Sequence, residues 1–200
     1  MTTPVDICNL ALARLGDEAT VSSIDPPEQS VQAMHCATFY PIALRQALDD
    51  EHAYSFATRR QILAPVTNDA VDDWLYCYAL PSQLVNIICL SSAGQTVTDY
   101  SIEIDADGDK VVYANTTPIG LVYVSSDVSS AHFSPSFVAY FSALLAHHLA
   151  GPILKGDVGA SAAIKMLELA RTLRQTATER DSLSFRKKST YVPAGIQARQ

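Results

Sequence analysis

The spacing of apolar side chains divides the chain into helical flanks and a β-rich middle. Val5, Cys8, Leu12 and Leu15 recur at intervals of three and four, which predicts a short helix with one buried stripe. Thr3 stands ahead of it as an N-cap, Pro4 takes the first helical position, and Gly16 follows the last apolar residue. A connection follows, because Pro26-Pro27 cannot lie inside a helix and Asp25 is pushed to an extended conformation. A second helix is predicted from about Glu28 to Asp50, with Val31, Met34, Ala37 or Thr38, Ile42 and Leu48 facing inward and a kink at Pro41.

From Trp74 to Val124 the helical period gives way to short β-rich runs, "WLYCYAL", "LVNIICL", "DYSIEI", "KVVYA" and "IGLVYV", punctuated by Pro81, Gly94, Asp107-Gly108 and Pro118-Ile119-Gly120. "SIEIDADGDKVVYA" alternates on both sides of a turn and reads as a hairpin, with Asp107-Gly108 supplying positive φ at little cost. Helical signals return at the Ser134-Pro135 cap, where "SFVAYFSALLAHHLAGPIL" predicts a long apolar helix ending near Gly151-Pro152. A last, amphipathic helix runs from Ala160 to about Arg180, with Ile164, Leu167, Leu169 or Ala170 and Leu173 on one side and Lys165, Glu168, Arg171 and Arg174 elsewhere. The stretch "HAYSFATRRQILAP", residues 52–65, reads as too irregular for helix or strand.

The expected fold class is therefore α+β: mainly an α-helical bundle with an inserted small antiparallel β-sheet and an extended C-terminal arm. Residues 1–60 supply the first helices, 61–130 the β-rich insertion, 131–180 the last helices, and 181–200 the basic arm. The arm has little apolar periodicity and carries Arg186, Lys187, Lys188 and Arg199, so it is expected to dock on something else or to stay unfolded alone.

Composition narrows the chemistry. At 48% hydrophobic and 18% charged over 200 residues, the chain can bury one good core. A formal net charge of −7 argues against a dedicated nucleic-acid binder, which needs clustered cations. Cys8, Cys36, Cys77 and Cys89 lie far apart without C-x-x-C spacing or a preceding signal peptide, the pattern of buried free thiols in a cytosolic protein. The longest apolar stretch contains two histidines and a Gly-Pro, short of the roughly 20 apolar residues that span a bilayer, so no membrane segment is expected.

Catalytic and metal motifs are sparse. "DADGDK" opens like an EF-hand loop, but the twelfth position, counted from Asp105, is Thr116 where a bidentate carboxylate is needed. His147 and His148 are neighbours and diverge by about 100 degrees on a helix, unsuited to one metal. Cys36 beside His35 lacks a nucleophile motif and reads as a buried thiol. No G-x-S-x-G, P-loop, G-x-G-x-x-G or H-E-x-x-H occurs. Neither enzyme activity, cofactor nor metal is expected, although scattered carboxylates can still converge in three dimensions.

The order "DICNLALARLG", "SVQAMHCATFYPIALRQALDDEHAYSFATRR", "WLYCYALPSQLVNI", "IGLVYVSSD" and "FSPSFVAYFSALLAHHLAGPILKG", over residues 5–175, resembles the head-to-tail adaptors of tailed bacteriophages, of the tail tubular protein A type. Its motifs are a small-aromatic-Ala-x-Arg segment after the second helix (Tyr54, Ser55, Phe56, Ala57, Arg59), an aromatic pair before a proline (Tyr76, Tyr78, Pro81), and an aspartate ahead of a Pro-x-Phe helix start (Asp127, Pro135, Phe137). Tyr54 stands where tryptophan is expected in many relatives.

The resemblance implies a virion protein at the head-tail junction. It would form a homo-oligomeric, commonly dodecameric ring that binds the portal protein above and a downstream tail or nozzle protein below. Double-stranded DNA would pass through without specific binding, an acidic lumen repelling phosphate. The portal-binding arm would comprise Phe185, Arg186, Lys187, Lys188, Tyr191, Val192, Pro193 and Ile196. Tyr54, Phe56, Arg59, Arg60 and Trp74 would form a bundle–sheet or subunit contact, the arginines reaching helix C-termini or a neighbouring subunit, and the hairpin Asp105, Asp107, Gly108 and Asp109 would face the tail. Removing residues from about Asp181 onward is expected to abolish attachment and spare the fold. The alternatives are another tail or tail-completion structural protein, or a small hydrolase with an acid pair in a deep cleft.

Overall fold

A computed structural model of the chain describes residues 2–18 and 20–184. The order of elements is α1 (Pro4–Arg14), α2 (Val31–Leu48), β1 (Thr58–Ile62), β2 (Pro65–Val66), β3 (Tyr76–Ala79), β4 (Leu84–Ser92), β5 (Gln95–Val97), β6 (Tyr100–Ile104), β7 (Lys110–Ala114), β8 (Gly120–Ser125), α3 (Pro135–Leu154) and α4 (Gly156–Ser182). The fold is α+β, with the β elements inserted between two helical pairs.

The first helix starts as its cap dictates: Thr3 Oγ1 accepts from the Asp6 amide at 3.1 Å while Asp6 accepts from the Thr3 amide at 2.8 Å. The connection to α2 is held by Asn9, whose side chain both accepts from and donates to the Val21 backbone. The second helix begins at Val31, later than expected, because Ser30 is its N-cap and Glu28 serves as an acceptor for the Ser22 and Ser30 hydroxyls. It runs unbroken through Pro41.

The buried face of α2 differs from the predicted one. Ala33, Cys36, Ala43 and Ala47, with Leu48, are fully buried, while Val31, Met34 and Ile42 are half or more exposed. Small side chains let α2 lie close to α3, and their weak hydrophobic signal hid the stripe that packs. The same correction applies to Ile164 on α4, which is 62% exposed; Ala170 and Ala177 are buried there, and Leu167, Leu169 and Leu173 are partly buried against the core.

The third helix is the centre of the bundle, packed against α1, α2 and α4. Arg14, at the end of α1, donates to Ser142 Oγ and the Ala139 carbonyl. α3 ends at Leu154, two residues past Gly151-Pro152, which lies in its last turn. By length and composition it is the one helix among the described residues that can cross a membrane, yet 56% of that span is buried inside the protein. A tight turn at Lys155 and Gly156, both at φ 55°, returns the chain into α4. The two helices then approach so closely that a Cβ at Gly159 would stand 2.9 Å from the Ala150 carbonyl oxygen.

In place of one small sheet there are two, each of four antiparallel strands, ordered β1-β8-β4-β5 and β2-β3-β7-β6. Tyr78, Val112 and Ala114 from the second sheet meet Leu84, Leu90, Leu121 and Tyr123 from the first, forming an inter-sheet core. On the other face of the first sheet, Val124 and the partly buried Val85 join the helical core. The β unit opens at Thr58, so the insertion starts ahead of the expected residue 61, and Thr58 lies directly opposite Val124 near the end of β8. Residues 58–62 escaped prediction as a strand because β1 is an edge, exposed along almost its whole length and without alternation.

Phe137 is fully buried at the start of α3. Phe137→Ala should lower the unfolding free energy by about 3–5 kcal/mol in urea titrations, whereas Ile42→Ala should change it by less than about 0.5 kcal/mol.

Candidate functional site

Residues 52–57, the first turn of α3 and the last turns of α4 converge on one junction between the helices and the first sheet. Tyr54 is 1% exposed and its ring stands 4.8 Å from that of Phe137, edge to face. Phe56 lies 4.7 Å from Phe137 and 5.0 Å from Phe133. Aromatic rings prefer such tilted contacts, which add to their area of burial.

Around these rings sits a polar clasp. Asp181, in the last turn of α4 and only 6% exposed, accepts from His52 Nε2 at 2.9 Å, the Ser55 amide at 3.0 Å and Ser55 Oγ at 2.6 Å. These hydrogen bonds occupy both carboxylate oxygens and tie the end of α4 to the chain between α2 and β1. A carboxylate in the last turn of a helix opposes the helix dipole, so these donors offset an unfavourable placement. Ser55, His52 and Asp181 have the residue types of a hydrolytic triad, but not its order: Ser55 Oγ donates to the aspartate and forms no hydrogen bond to His52, so the histidine does not stand between them.

Two turns further back along α4, Arg174 Nε stands 3.1 Å from Asp50 Oδ2, an ion pair outside hydrogen-bond geometry. The pair lies on the wall of a cleft of about 370 Å³, with Gln46, Tyr140, His147 and Arg171 among the other lining residues. Tyr54 Oη is buried nearby without a hydrogen-bond partner among the described residues. Burial pushes both phenols up, helped by the Asp50 charge and opposed by Arg174, and Tyr140 rises to about 12.

The remaining candidates for chemistry are occupied by packing. His147 Nδ1 is bonded to the Ala163 carbonyl at 3.0 Å, and His148 Nε2 to Gln46 Oε1 at 2.7 Å while its ring stacks on Phe39. Burial, with His147 beside it, lowers the His148 pKa. Cys8 and Cys36 are fully buried, and the neighbouring Cys36 thiol together with burial raises the Cys8 pKa. Among the described residues, no group of three or more His, Cys, Asp or Glu side chains is placed to hold a metal ion.

The residues singled out from the sequence separate. Tyr54 and Phe56 form the junction. Arg59 folds back, Nη1 donating to the Phe56 carbonyl at 3.1 Å and Nη2 to the Asp127 carbonyl at 3.3 Å; it thus braces the segment before α3 instead of reaching a helix C-terminus. Arg60 is exposed on β1 without a hydrogen bond or ion pair to any described residue. Trp74 is not at this junction: it packs on Cys77, Val111 and Tyr113, on the outer face of the second sheet. Asp105, Asp107, Gly108 and Asp109 do form the hairpin turn, with Asp105 Oδ1 accepting from the amides of Asp107 and Asp109 and Gly108 at φ +90°. Phe185, Arg186, Lys187, Lys188, Tyr191, Val192, Pro193 and Ile196 lie outside the described residues.

Asp181 was expected to open the arm; it belongs to α4 and to the clasp, so a deletion that spares the fold has to begin after Ser184. The pairing of His52 and Ser55 with Asp181, and of Asp50 with Arg174, is not visible in the sequence, since the partners lie more than a hundred residues apart. The one local signal was an acid at a helix C-terminus. Compared with protein-family models and with curated proteins, the chain finds no significant match in either.

Asp181→Ala should destabilise the protein by about 2–3 kcal/mol, because it takes a buried charged acceptor from three donors; Arg180→Ala, on the exposed side of the same turn, should cost less than about 0.5 kcal/mol. Alkaline pH provides a second measurement. Tyr140 ionises near 10 in the unfolded chain and at about 12 in the folded protein, so its contribution is complete below 10 and is lost as pH rises toward 12. The urea midpoint should fall over that window, and Tyr140→Phe should flatten the fall.

Proposed function

We propose that the protein is a structural component of a phage virion, a head-to-tail adaptor that forms a ring between portal and tail and continues the DNA channel. The observation that carries this reading is the meeting of two motifs on which the family resemblance rests. The aromatic segment after α2 and the Pro-x-Phe start of α3 are separated by some eighty residues, and they pack ring to ring at Tyr54, Phe56 and Phe137. The third motif lies on and just after β3, with Tyr78 Oη donating to the Thr116 carbonyl in the inter-sheet core. Two of the three motifs carrying the resemblance thus join the helical and β parts, and the third lies between the sheets.

Charge supports the same reading. Residues 185–200 contain Arg186, Lys187, Lys188 and Arg199 and no acid, so the rest of the chain carries −11 against −7 for the whole. An acidic body suits a sleeve through which DNA passes without adhering, and a cationic terminal segment suits an acidic partner surface. The hydrolase alternative receives no support from Ser55, which has no hydrogen bond to His52, or from Asp50 and Asp181, whose donors and cation are already supplied by the protein.

Light scattering of the purified full-length chain, alone and mixed with the portal ring of the same virus, tests the proposal. The expected product is a stoichiometric ring on the portal, and absence of binding at both low and physiological salt would count against an adaptor. A chain ending at Ser184 should keep its thermal unfolding midpoint and lose portal binding; undiminished binding would remove the arm from the interface.

A further inference from the structure

The two flanks of the β unit carry opposite charge. Only Leu63 and Ala64 link β1 to β2, and only Thr98 and Asp99 link β5 to β6. With the sheets ordered β1-β8-β4-β5 and β2-β3-β7-β6, the first pair of edges lies on one flank and the second pair on the other. On the first flank, β1 presents Arg60 beside an Ile62 that is 75% exposed, with Arg59 folded back onto the Phe56 and Asp127 carbonyls, and no acid occurs from His52 through Asn68. On the opposite flank, β6 presents Glu103 between Ile102 and Ile104, which are 39% and 64% exposed. Asp99 and Asp105 bracket that strand, and no cation occurs from Gln95 through Asp109.

An unpaired edge offers its free amides and carbonyls to any strand that can lie beside it, and proteins commonly charge such edges to prevent pairing. Here the charge discriminates. Two β1 edges repel each other, as do two β6 edges, whereas β1 and β6 attract and match in length at five residues each. Both edges also carry exposed aliphatic side chains that pairing would cover.

We infer that β1 of one copy adds to β6 of the next, with Arg60 beside Glu103, so that copies join head to tail through a shared β-sheet. Because the two edges lie on opposite flanks, the contact is heterologous: it leaves a free β1 and a free β6 at the ends of every chain of copies, and a ring is its closed form. The inference rests on the ring proposed above and names its subunit contact.

Charge reversal tests it on the full-length protein, with sedimentation velocity over a range of concentrations, alone and with the portal ring. Arg60→Glu and Glu103→Arg should each weaken self-association roughly tenfold or more while keeping the wild-type circular dichroism and melting temperature. Mixing the two variants should restore assembly, because the reversed β1 of one then meets the reversed β6 of the other, and their two unchanged edges meet at the next contact in alternation. The double variant should also assemble alone. Assembly untouched by either reversal, or loss that mixing does not rescue, would overturn the inference, and so would a wild-type protein that stays monomeric with and without portal. Portal binding is scored separately: rescue by mixing without portal binding keeps this contact and removes the adaptor reading, whereas portal-bound rings indifferent to both reversals do the opposite.

Discussion

The packing of Phe137 against Tyr54, Phe56, Phe133 and Phe141 is the contact on which the two halves of the molecule depend. The helices bury their apolar faces around α3, and the sheets bury theirs against each other. Few side chains from the sheets enter the helical core; Val124 and Val85 are the principal ones. The aromatic cluster fills the remaining gap, and it does so with rings contributed just before the β unit, just after it and within the first two turns of α3. The clasp at Asp181 then brings the end of α4 to the same place through Ser55 and His52. A single region therefore fixes the exit of the chain from α2, its return into α3 and the end of α4.

Much of this architecture was legible from local physics. Caps placed the starts of α1 and α3 correctly, since Thr3-Pro4 and Ser134-Pro135 are used as their chemistry predicts. The runs of β-branched and aromatic residues located β3, β4, β6, β7 and β8, and Asp107-Gly108 located the hairpin. What local physics could not supply was the direction in which a helix faces. On α2 Val31, Met34 and Ile42 point outward while Ala33, Ala43 and Ala47 point inward with Leu48, because the neighbour is close and space, not hydrophobicity alone, decides which residues fit. The strand at residues 58–62 was hidden for a related reason: an edge strand rich in arginine has neither the alternation nor the composition that identifies a strand.

The site was less legible than the fold. The aromatic segment after α2 stood out by composition, and its role as a wedge between helices and sheet follows from the rings themselves. Its polar counterpart did not stand out, since an aspartate at the end of α4 becomes meaningful only when the fold brings His52 and Ser55 to it across most of the chain length. Trp74 does not join the bundle–sheet junction, and a lone tryptophan near an aromatic cluster in sequence carries no information about which face of a sheet it covers.

The pairing of Thr58 with Val124 has a mechanical meaning. The chain leaves the helical layer and comes back to it through adjacent strands, so both covalent connections of the β unit run through one strand pair, with β4 touching the helices beside it at Val85 and Asn86. A pull on the β unit is shared between the strands of that pair and passes into α3 through Phe133 and Phe137. The helices need not deform when the β unit is loaded, and its length and loops can change without altering the layer from which it is suspended.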